Sequence, residues 1–413
     1  MTTRSPASTS VPNWTVRRGS NSDDGATAMT AHAIGVSALP NGTYDVPTWQ
    51  MAAEVLREAV DDAALALADV DGLYMPKPRP WTEQGFFSTA LANRLGLDLA
   101  RNVETYTGGT SGGSAFRLAV ADVERGVTDV AVVLAAERNS HVETDDYLSY
   151  ILGTFERDLQ SPVGPTVPGL YAQSLQRYCH EYDVSREAVA EVVVKNRENA
   201  ASNPEAIRSS GTTVSDVLDS RPVARPLRLY ECPAPCDGAA AVVVTGADHA
   251  GRTDGPVPIA GTGYDHAPSH YLGVRGESLA RHPAMAAAAD EALDDADREV
   301  GDVDVFELYA PFPHTEAILS EELDLFDRGD GALAAVDRQT AVDGTTPISP
   351  SGGCIGRGHP AMVSPLLNHV EAVRQVRGTA ANQVRDATTV LTSAEHGHVD
   401  GVNVTVFGGD DDA

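Results

Sequence analysis

The chain has 413 residues, of which 42% are hydrophobic and 22% charged, a balance typical of a soluble globular protein with a packed core. Its net charge of −29 and its two lysines, Lys77 and Lys195, argue against nucleic acid or an anionic membrane as partner, because both would be repelled. Four cysteines in so long a chain do not suggest a disulfide framework, and no run reaches the roughly 20 apolar residues of a membrane span.

The first 28 residues predict a disordered tail, since they are rich in Ser, Thr, Asn and Gly and lack an apolar core segment. We therefore expect a cytoplasmic protein, and the acidic surface fits a halophilic, salt-rich cytoplasm. Strand and helix patterns then alternate, which indicates an α/β fold. The first series comprises strands at 31–39, 70–76, 102–107 and 129–137 and helices at 48–68, 85–97 and from about 111 onward.

A second series begins near Val257. Strands are predicted at 257–264, 302–310 and 386–395, and helices at about 283–295, at 313–326 and after 360. Both series contain a glycine-rich turn, an amphipathic helix, an Arg-Gly pair and a strand that ends in Glu, which indicates an internal duplication. We predict a first half over 29–253, with an excursion at about 140–225, and a second half over 254–413.

The two glycine-rich turns, "TGGTSGG" at 107–113 and "PSGGCIGRGHP" at 350–360, each open a helix. A helix N-terminus presents unpaired N–H groups and a partial positive charge, so it can hold an oxyanion or a phosphate. His359 stands in the second turn, where an imidazole can act as a general acid or base near neutral pH. These features predict a two-sided site between the halves.

The quoted turns and their flanking segments resemble those of the thiolase superfamily. "GGCIGRGHP" is similar to the Gly-Gly…Gly-His-Pro motif, and residues 102–140 are similar to the block around the thiolase nucleophile. Segments 185–206 and 225–245 are similar to the sterol-carrier-protein-type and lipid-transfer-type branch. The resemblance runs from about Ala31 to Phe407 and implies a duplicated βαβαβαββ fold in five αβαβα layers, usually dimeric, with a coenzyme A thioester as substrate and no bound cofactor or metal.

The departures from the thiolase pattern carry more information than the match. Gly109 stands at the place of the nucleophilic cysteine, so a covalent acyl-enzyme is not expected there. Glu395 falls at about the place of the second, acid–base cysteine. Tyr309 replaces the Asn of the Asn-Glu-Ala-Phe segment, here "YAPF", and Met362 and Pro365 replace two glycines.

A tyrosine in this segment resembles the lipid-transfer-type aldolases, which cleave β-hydroxyacyl-CoA thioesters together with a small zinc-ribbon/OB-fold partner. The resemblance implies the same retro-aldol chemistry and the same kind of partner for this chain. The expected acid–base residues are His359, Tyr309 and Glu395. The expected substrate-binding residues are Gly108, Gly109, Thr110, Ser111, Phe312, His314, Gly352, Gly353 and Cys354.

Three alternatives stay open at this point. The chain could be a non-catalytic acyl-CoA or lipid-binding scaffold, or Cys354 could be a relocated nucleophile for acyl transfer. Cys232 and Cys236 could begin a zinc site, although no second ligand pair follows at zinc spacing. His396 and His398 lie near the expected site and could contact a substrate or a metal, or they could belong to an exposed polar loop.

Overall fold

The computed structural model describes residues 30–82, 84–208, 210–251, 255–267, 278–395 and 401–409. The strands are β1 (Ala31–Ala38), β2 (Gly72–Pro76), β3 (Arg101–Thr105), β4 (Val130–Glu137), β5 (Pro222–Ala224), β6 (Leu227–Arg228), β7 (Gly238–Gly246), β8 (Val257–His266), β9 (Val305–Glu307), β10 (Thr389–Glu395) and β11 (Gly401–Gly408). The helices are α1 (Thr48–Asp62), α2 (Phe87–Leu95), α3 (Ser111–Glu124), α4 (Thr144–Leu152), α5 (Val167–Glu181), α6 (Arg186–Ala201), α7 (Val214–Asp219), α8 (Ala247–Ala250), α9 (Pro283–Asp295), α10 (Pro313–Glu322), α11 (Gly331–Val336), α12 (Gly353–Gly356) and α13 (Ser364–Arg377). None of these helices combines the length and apolarity that a bilayer crossing requires.

Nine strands form one hydrogen-bonded sheet in the order β3-β2-β4-β7-β1-β8-β11-β10-β9. In the first half β2 and β4 are parallel, and β4–β7 and β7–β1 are antiparallel. The second half repeats these directions, with β9 parallel to β10 and with β10–β11 and β11–β8 antiparallel. The halves meet where β1 pairs with β8 through His32–Pro258 and Ala33–Val257. The strand pairing therefore agrees with the predicted duplication.

The apolar side chains form layers on both faces of the sheet. Helices α3 and α13 pack between the two halves in one cluster that includes Phe116 and Leu366. Helices α1 and α2 cover the outer face of the first half, and α9 and α10 cover the outer face of the second. Because α3 and α13 pack against strands of both halves, each half of the sheet is a layer between these helices and its own outer helices, which gives the predicted five-layer αβαβα fold. The predicted tail and the boundary at 253/254 lie outside the described residues.

Three of the helices each bury one apolar face. Each of them repeats apolar residues at i, i+3, i+4 and i+7, a spacing that places them along one stripe. The buried residues are Phe116, Ala119, Val120 and Val123 of α3, Met285, Ala288, Ala289 and Ala292 of α9, and Val363, Leu366, Leu367 and Val370 at and within α13. The excursion predicted at about 140–225 contains α4, α5, α6 and α7 and the short strand β5.

Two glycines let α9 lie directly against β8. A Cβ added to Gly263 would stand 2.0 Å from the backbone oxygen of Ala288, and one added to Gly261 would stand 2.1 Å from that of Ala292. We expect Gly263→Ala to lower the free energy of unfolding by about 1–3 kcal/mol, because backbone must move to admit the methyl group. Chemical denaturation measures this change.

The matched control for Gly263 is Gly301→Ala. Gly301 is exposed, and an added Cβ there meets no atom within 4 Å. We expect that substitution to change stability by no more than about 0.5 kcal/mol. Equal effects of the two substitutions would contradict the proposed close approach of α9 to β8.

Candidate active site

The ends of two parallel strand pairs, β2–β4 and β9–β10, supply the polar side chains of the site. Glu137 and Glu395 are the last residues of β4 and β10, which occupy equivalent places in the two halves. Arg79 follows the end of β2, and Tyr309 follows the end of β9. The carboxyl ends of each parallel pair open at one edge of their half of the sheet, and both Arg79 and Tyr309 line one cavity.

A cavity of about 880 Å³ lies beside Arg79 and Tyr309. Its roof is formed by α4 and by residues 164–168, and its floor includes Gly108 and Gly109 of the first glycine-rich turn and His359 of the second. Of the residues predicted from the sequence, five line it: Gly108, Gly109, Tyr309, Phe312 and His359. The fold thus brings the expected acid–base pair together with the turn that lacks the nucleophile.

The Tyr309 hydroxyl and His359 Nε2 are 3.4 Å apart, and their rings meet edge to face with centroids 5.4 Å apart. On the other side of the ring, His359 Nδ1 lies 3.1 Å from Ser364 Oγ, which donates to the Pro360 carbonyl at 3.2 Å. Since that hydroxyl proton is used, we assign the imidazole proton to Nδ1, where it is donated to Ser364. Nε2 is then the acceptor that faces Tyr309.

Burial makes both members of this pair neutral. It lowers the pKa of His359 to about 3, and the positive charges of Arg79 and Arg357 act in the same direction. Burial raises the pKa of Tyr309 well above its usual value of 10.0, and the neighbouring Cys354 and Glu395 add to that shift. At neutral pH the pair therefore consists of a phenol that can donate a proton and an imidazole that can accept one.

The side-chain hydroxyl groups of the first glycine turn form hydrogen bonds within the turn itself. Ser111 Oγ accepts from the Thr107 N–H at 2.9 Å and donates to the Gly108 carbonyl at 2.6 Å. Thr110 Oγ1 donates to the Thr107 carbonyl at 2.7 Å. Both hydroxyl-bearing residues are buried and lie beneath the cavity wall, so the turn presents backbone to the cavity at Gly108 and Gly109. The structure does not bring Thr110 and Ser111 to the substrate space.

Gly352 and Gly353 of the second glycine turn do not line the cavity. Gly352 has φ +97°, and a Cβ there would stand 2.8 Å from the Ala200 side chain of α6. Gly353 has φ +55°, and a Cβ there would stand 3.2 Å from the Ser349 side chain and 3.7 Å from Asn196 Oδ1. The sequence predicts that Gly352 and Gly353 contact the substrate. The structure instead packs them against neighbouring protein atoms, because the space that a side chain would need is occupied by α6 and Ser349.

His314 is fully buried behind the cavity, beside two aromatic residues that line it. Its ring centroid lies 6.0 Å from that of Tyr171 and 6.2 Å from that of Phe312. Burial lowers its pKa well below 6.5, so the ring is neutral. His314 does not line the cavity as predicted, since Phe312 and Tyr171 lie between.

Glu395 is a fully buried carboxyl group whose charged form raises the pKa values of Tyr309 and Cys354. Burial raises its pKa well above 4.5, and within the described ranges neither carboxyl oxygen has a hydrogen-bond partner. The group is therefore a neutral acid, which can donate a proton but is a poor base. Glu395 lies outside the cavity lining, and its predicted acid–base role stays a prediction.

Cys354 is buried and does not line the cavity. Burial raises the pKa of its thiol to about 12, in spite of the positive charge of Arg357. Because the thiolate is the nucleophile, the structure speaks against both the predicted substrate contact and acyl transfer through this residue.

We expect Cys354 to stay unmodified when the native protein is treated with iodoacetamide at pH 8, and to react after denaturation. Peptide mass spectrometry measures both states. Intact mass after incubation with acetyl-CoA should show no added acyl group. An acyl adduct mapped to Cys354 would restore the acyl-transfer alternative.

Cys232 and Cys236 are the two cysteines that could begin a zinc site. Cys232 lines the cavity and Cys236 is buried, and burial raises the pKa of each thiol to about 12. Within the ranges that the structure describes, no three His, Cys, Asp or Glu side chains are placed to hold a metal ion. His396 and His398 lie outside the described residues.

Sequence reasoning missed the Arg79–Glu137 ion pair and the two tyrosines of α4 that face it. Arg79 lines the cavity, and its Nε lies 2.9 Å from Glu137 Oε1. Tyr147 and Tyr150 also line the cavity. Its position in the sequence could have pointed to Arg79, because it closely follows the strand predicted at 70–76 and so lies near the carboxyl end of that strand.

Comparison with known proteins gives two family matches. Residues 26–209 match the family described as "Thiolase, N-terminal domain". Residues 266–409 match the family described as "Thiolase C-terminal domain-like". The two matches fall on the two halves of the duplicated fold.

Individual relatives include an acyltransferase and an aldolase. An "Acetyl-CoA acetyltransferase" of Methanothermobacter thermautotrophicus is 32% identical over 364 residues, which are 87% of this chain and 94% of that protein. A "Steroid side-chain-cleaving aldolase" of Thermomonospora curvata is 30% identical over 373 residues, covering 84% of this chain and 90% of that protein. A solved structure described as "Ltp2-ChsH2(DUF35) aldolase" superposes with a TM-score of 0.79 at 27% identity, covering 93% of this chain and 98% of that one.

Proposed function

The chain belongs to the thiolase superfamily, and from that premise we propose that it makes or breaks a carbon–carbon bond next to a coenzyme A thioester without a covalent acyl-enzyme. The observation that carries this proposal is the contact of Tyr309 with His359 Nε2 at the cavity wall. Gly109, which the resemblance to thiolases places at the position of the cysteine nucleophile, lines the same cavity. The similarity to an aldolase sequence and to an aldolase structure supports the lyase direction.

The proposed reaction is a retro-aldol cleavage of a β-hydroxyacyl-CoA. The β-hydroxyl proton passes to the Tyr309–His359 pair as the Cα–Cβ bond breaks, and the β-carbon becomes a ketone or an aldehyde. The electron pair of the broken bond enters the enolate of the departing acyl thioester. Tyr309 then returns a proton to Cα, so atoms and charge balance without a co-reactant.

The first glycine turn fits the role of an anion-holding element. Gly108 and Gly109 line the cavity just before α3 begins at Ser111, where the helix N-terminus carries partial positive charge. Because Ser111 Oγ is bonded within the turn, it is not free to attack a thioester. We propose that this turn binds and polarises the substrate rather than reacting with it.

The test uses the full chain and a set of β-hydroxyacyl-CoA thioesters with short, long and ring-bearing β-substituents. Liquid chromatography with mass detection should reveal a shortened acyl-CoA and a carbonyl product in equal amounts. Mixing those two products should yield the starting thioester. Omission of protein and the His359→Ala variant are the controls.

Binding of acyl-CoA without turnover would contradict an enzymatic role. If the chain binds acyl-CoA, measured by calorimetry, yet neither cleaves nor condenses any member of the set, alone or with its partner, the non-catalytic scaffold replaces the enzyme. Cleavage that persists undiminished in His359→Ala would show that another group carries the reaction.

We also propose a small zinc-ribbon/OB-fold partner and a homodimer. The solved relative described as "Ltp2-ChsH2(DUF35) aldolase" pairs two named components, which supports a partner for this chain. Co-expression with the product of an adjacent reading frame that encodes a four-cysteine zinc ribbon should yield a complex of both proteins. Light scattering should give at least twice the mass of the chain. A monomer that is fully active alone would contradict both assignments.

A further inference from the structure

Arg79 is a buried cation in the wall of the candidate active site. It stands three residues after the end of β2, is 8% exposed, and lines the same cavity as Tyr309 and His359. Among the lining residues in the described ranges it is the one lysine or arginine. A buried arginine is rare unless its charge has a partner and a use.

The partner fixes where the guanidinium lies. Arg79 Nε is 2.9 Å from Glu137 Oε1, and Glu137 Oε2 accepts the N–H of Met362 at 3.0 Å. Met362 follows His359 by three residues in the same loop. The ion pair therefore connects the charge of Arg79 to the segment that carries the catalytic imidazole.

Three aromatic rings surround the guanidinium and separate it from water. Its central carbon lies 5.4 Å from the ring centroid of Trp81, 5.6 Å from that of Tyr147 and 5.4 Å from that of Tyr150. The two tyrosines are three residues apart on α4 and so share one helix face. Cation–π contacts strengthen when the cation loses its water, so the roof helix holds Arg79 in a dehydrated position.

The guanidinium has donors that the protein does not fully satisfy. Within the described ranges Arg79 Nη1 is buried and has no hydrogen-bond partner, which is unfavourable for a charged donor. The remaining 8% of the residue that is exposed lies in the cavity wall. A ligand oxygen at that exposed part would accept a hydrogen bond from the guanidinium.

The field of Arg79 reaches both acid–base residues. After burial, its charge is the leading influence that lowers the pKa of His359. It also opposes the effect of burial on the pKa of Tyr309. A negative charge that develops on substrate beside these residues would feel the same positive field.

We propose that Arg79 is a catalytic residue, which donates a hydrogen bond to the thioester oxygen as enolate charge develops on it. This inference rests on the proposed function. When the Cα–Cβ bond breaks, its electron pair moves to the enolate and the carbonyl oxygen gains negative charge, while Arg79 keeps all its protons. The roof tyrosines and Glu137 act as positioning residues for this group.

The experiment measures enolate formation separately from cleavage of the carbon–carbon bond. The full chain is incubated with acetyl-CoA in D₂O, and proton NMR measures loss of the methyl signal of the acetyl group. We expect exchange by the unaltered protein, and exchange slowed about 10²–10³-fold in Arg79→Met/Glu137→Gln, the size of effect seen when one oxyanion donor is removed. The second substitution avoids leaving Glu137 charged and unpaired.

Further variants separate chemistry from folding. Arg79→Lys keeps the charge beside Glu137 but loses the fork of donors, and we expect exchange slowed by about tenfold. Ethylguanidinium added to Arg79→Ala should restore part of the rate, which a merely structural role would not allow. Arg94→Met removes a guanidinium that stacks on Trp49 at 4.5 Å outside the cavity, and it should exchange at the unaltered rate.

The results distinguish this inference from the proposed function. Exchange that is unchanged in every folded Arg79 variant overturns the role of Arg79 and leaves the proposed function standing. No exchange and no cleavage by the unaltered protein overturn both. If the variants only raise KM, and only for substrates with a carboxylate in the acyl tail, Arg79 binds that carboxylate and the enolate assignment is wrong.

Discussion

Replacing His359 by alanine should lower kcat for the cleavage of a β-hydroxyacyl-CoA by about 10²–10⁴-fold, the contribution of a positioned general acid–base group. KM should change little, because the imidazole acts on a proton rather than on the coenzyme A moiety. Tyr309→Phe should give a loss of similar size. Steady-state kinetics of the purified chain with its partner measures each variant.

The double variant tests whether the two residues act as one unit. The Tyr309 hydroxyl lies 3.4 Å from His359 Nε2, so removal of either group interrupts the same proton path. We expect His359→Ala/Tyr309→Phe to be no slower than the slower single variant, since effects within a catalytic unit are not additive. Multiplicative losses would show that the residues serve separate steps.

The pH dependence of the cleavage rate tests whether His359 is a buried, neutral imidazole. Burial lowers the pKa of His359 to about 3, and the basic, neutral form exists above that pKa. The rate should therefore stay level between about pH 5 and 8, without the decline near 6.5 that an unperturbed histidine gives. A decline centred near 6.5 that disappears in His359→Ala would contradict the buried, neutral imidazole.

Arg357→Met should lower the free energy of unfolding by about 3–5 kcal/mol, because it removes one partner from a buried charge network. The guanidinium is 2% exposed. It donates to Ser351 Oγ at 2.9 Å and to Asn368 Oδ1 at 2.6 Å, and Nη1 lies 3.9 Å from Glu307 Oε2. Denaturant unfolding monitored by fluorescence and by circular dichroism measures the loss.

The loss should grow with pH. Burial raises the pKa of Glu307 to about 7, although Arg357 opposes that rise, so the carboxyl is largely protonated at pH 5 and ionised at pH 8. A folded-state pKa above the unfolded value means that stability declines as pH rises. Without Arg357 the decline steepens, since nothing offsets the buried charge of Glu307 beside Glu371. The destabilisation should be greater at pH 8 than at pH 5.

An exposed arginine provides the matched control. Arg338 is 64% exposed and pairs with Glu198 at 3.4 Å. Surface ion pairs contribute about 0–1 kcal/mol, so Arg338→Met should leave stability nearly unchanged at both pH values. If Arg357→Met behaves like this control, Arg357 does not anchor the His359 loop through buried charge.

The periodic spacing of apolar residues was sufficient to predict most of the helices and strands. The i, i+3, i+4, i+7 spacing of apolar residues in α3, α9 and α13 coincides with their buried faces, because an apolar stripe is a local property of sequence. Short segments were less well predicted. The strand expected at 302–310 is β9, Val305–Glu307, since the residues after it turn toward the cavity.

Two predicted site residues were found at one cavity from residue type and motif. His359 and Tyr309 stand in recognisable turns, and the structure places both in the cavity lining. Thr110, Ser111, Gly352 and Gly353 do not line this cavity, and one reason applies to all four. Membership of a glycine-rich turn does not say which atoms face a ligand and which satisfy the turn or pack against α6.

The sequence by itself determined the duplication and the two glycine turns, because these are properties of residue order and residue type. Tertiary structure decided the rest. It brought Tyr309 and His359 into contact across 50 residues, buried Cys354 and Glu395, and placed Arg79 against Glu137 and the tyrosines of α4. Contact and desolvation depend on how distant segments pack, and desolvation is the main influence on the pKa values of these groups.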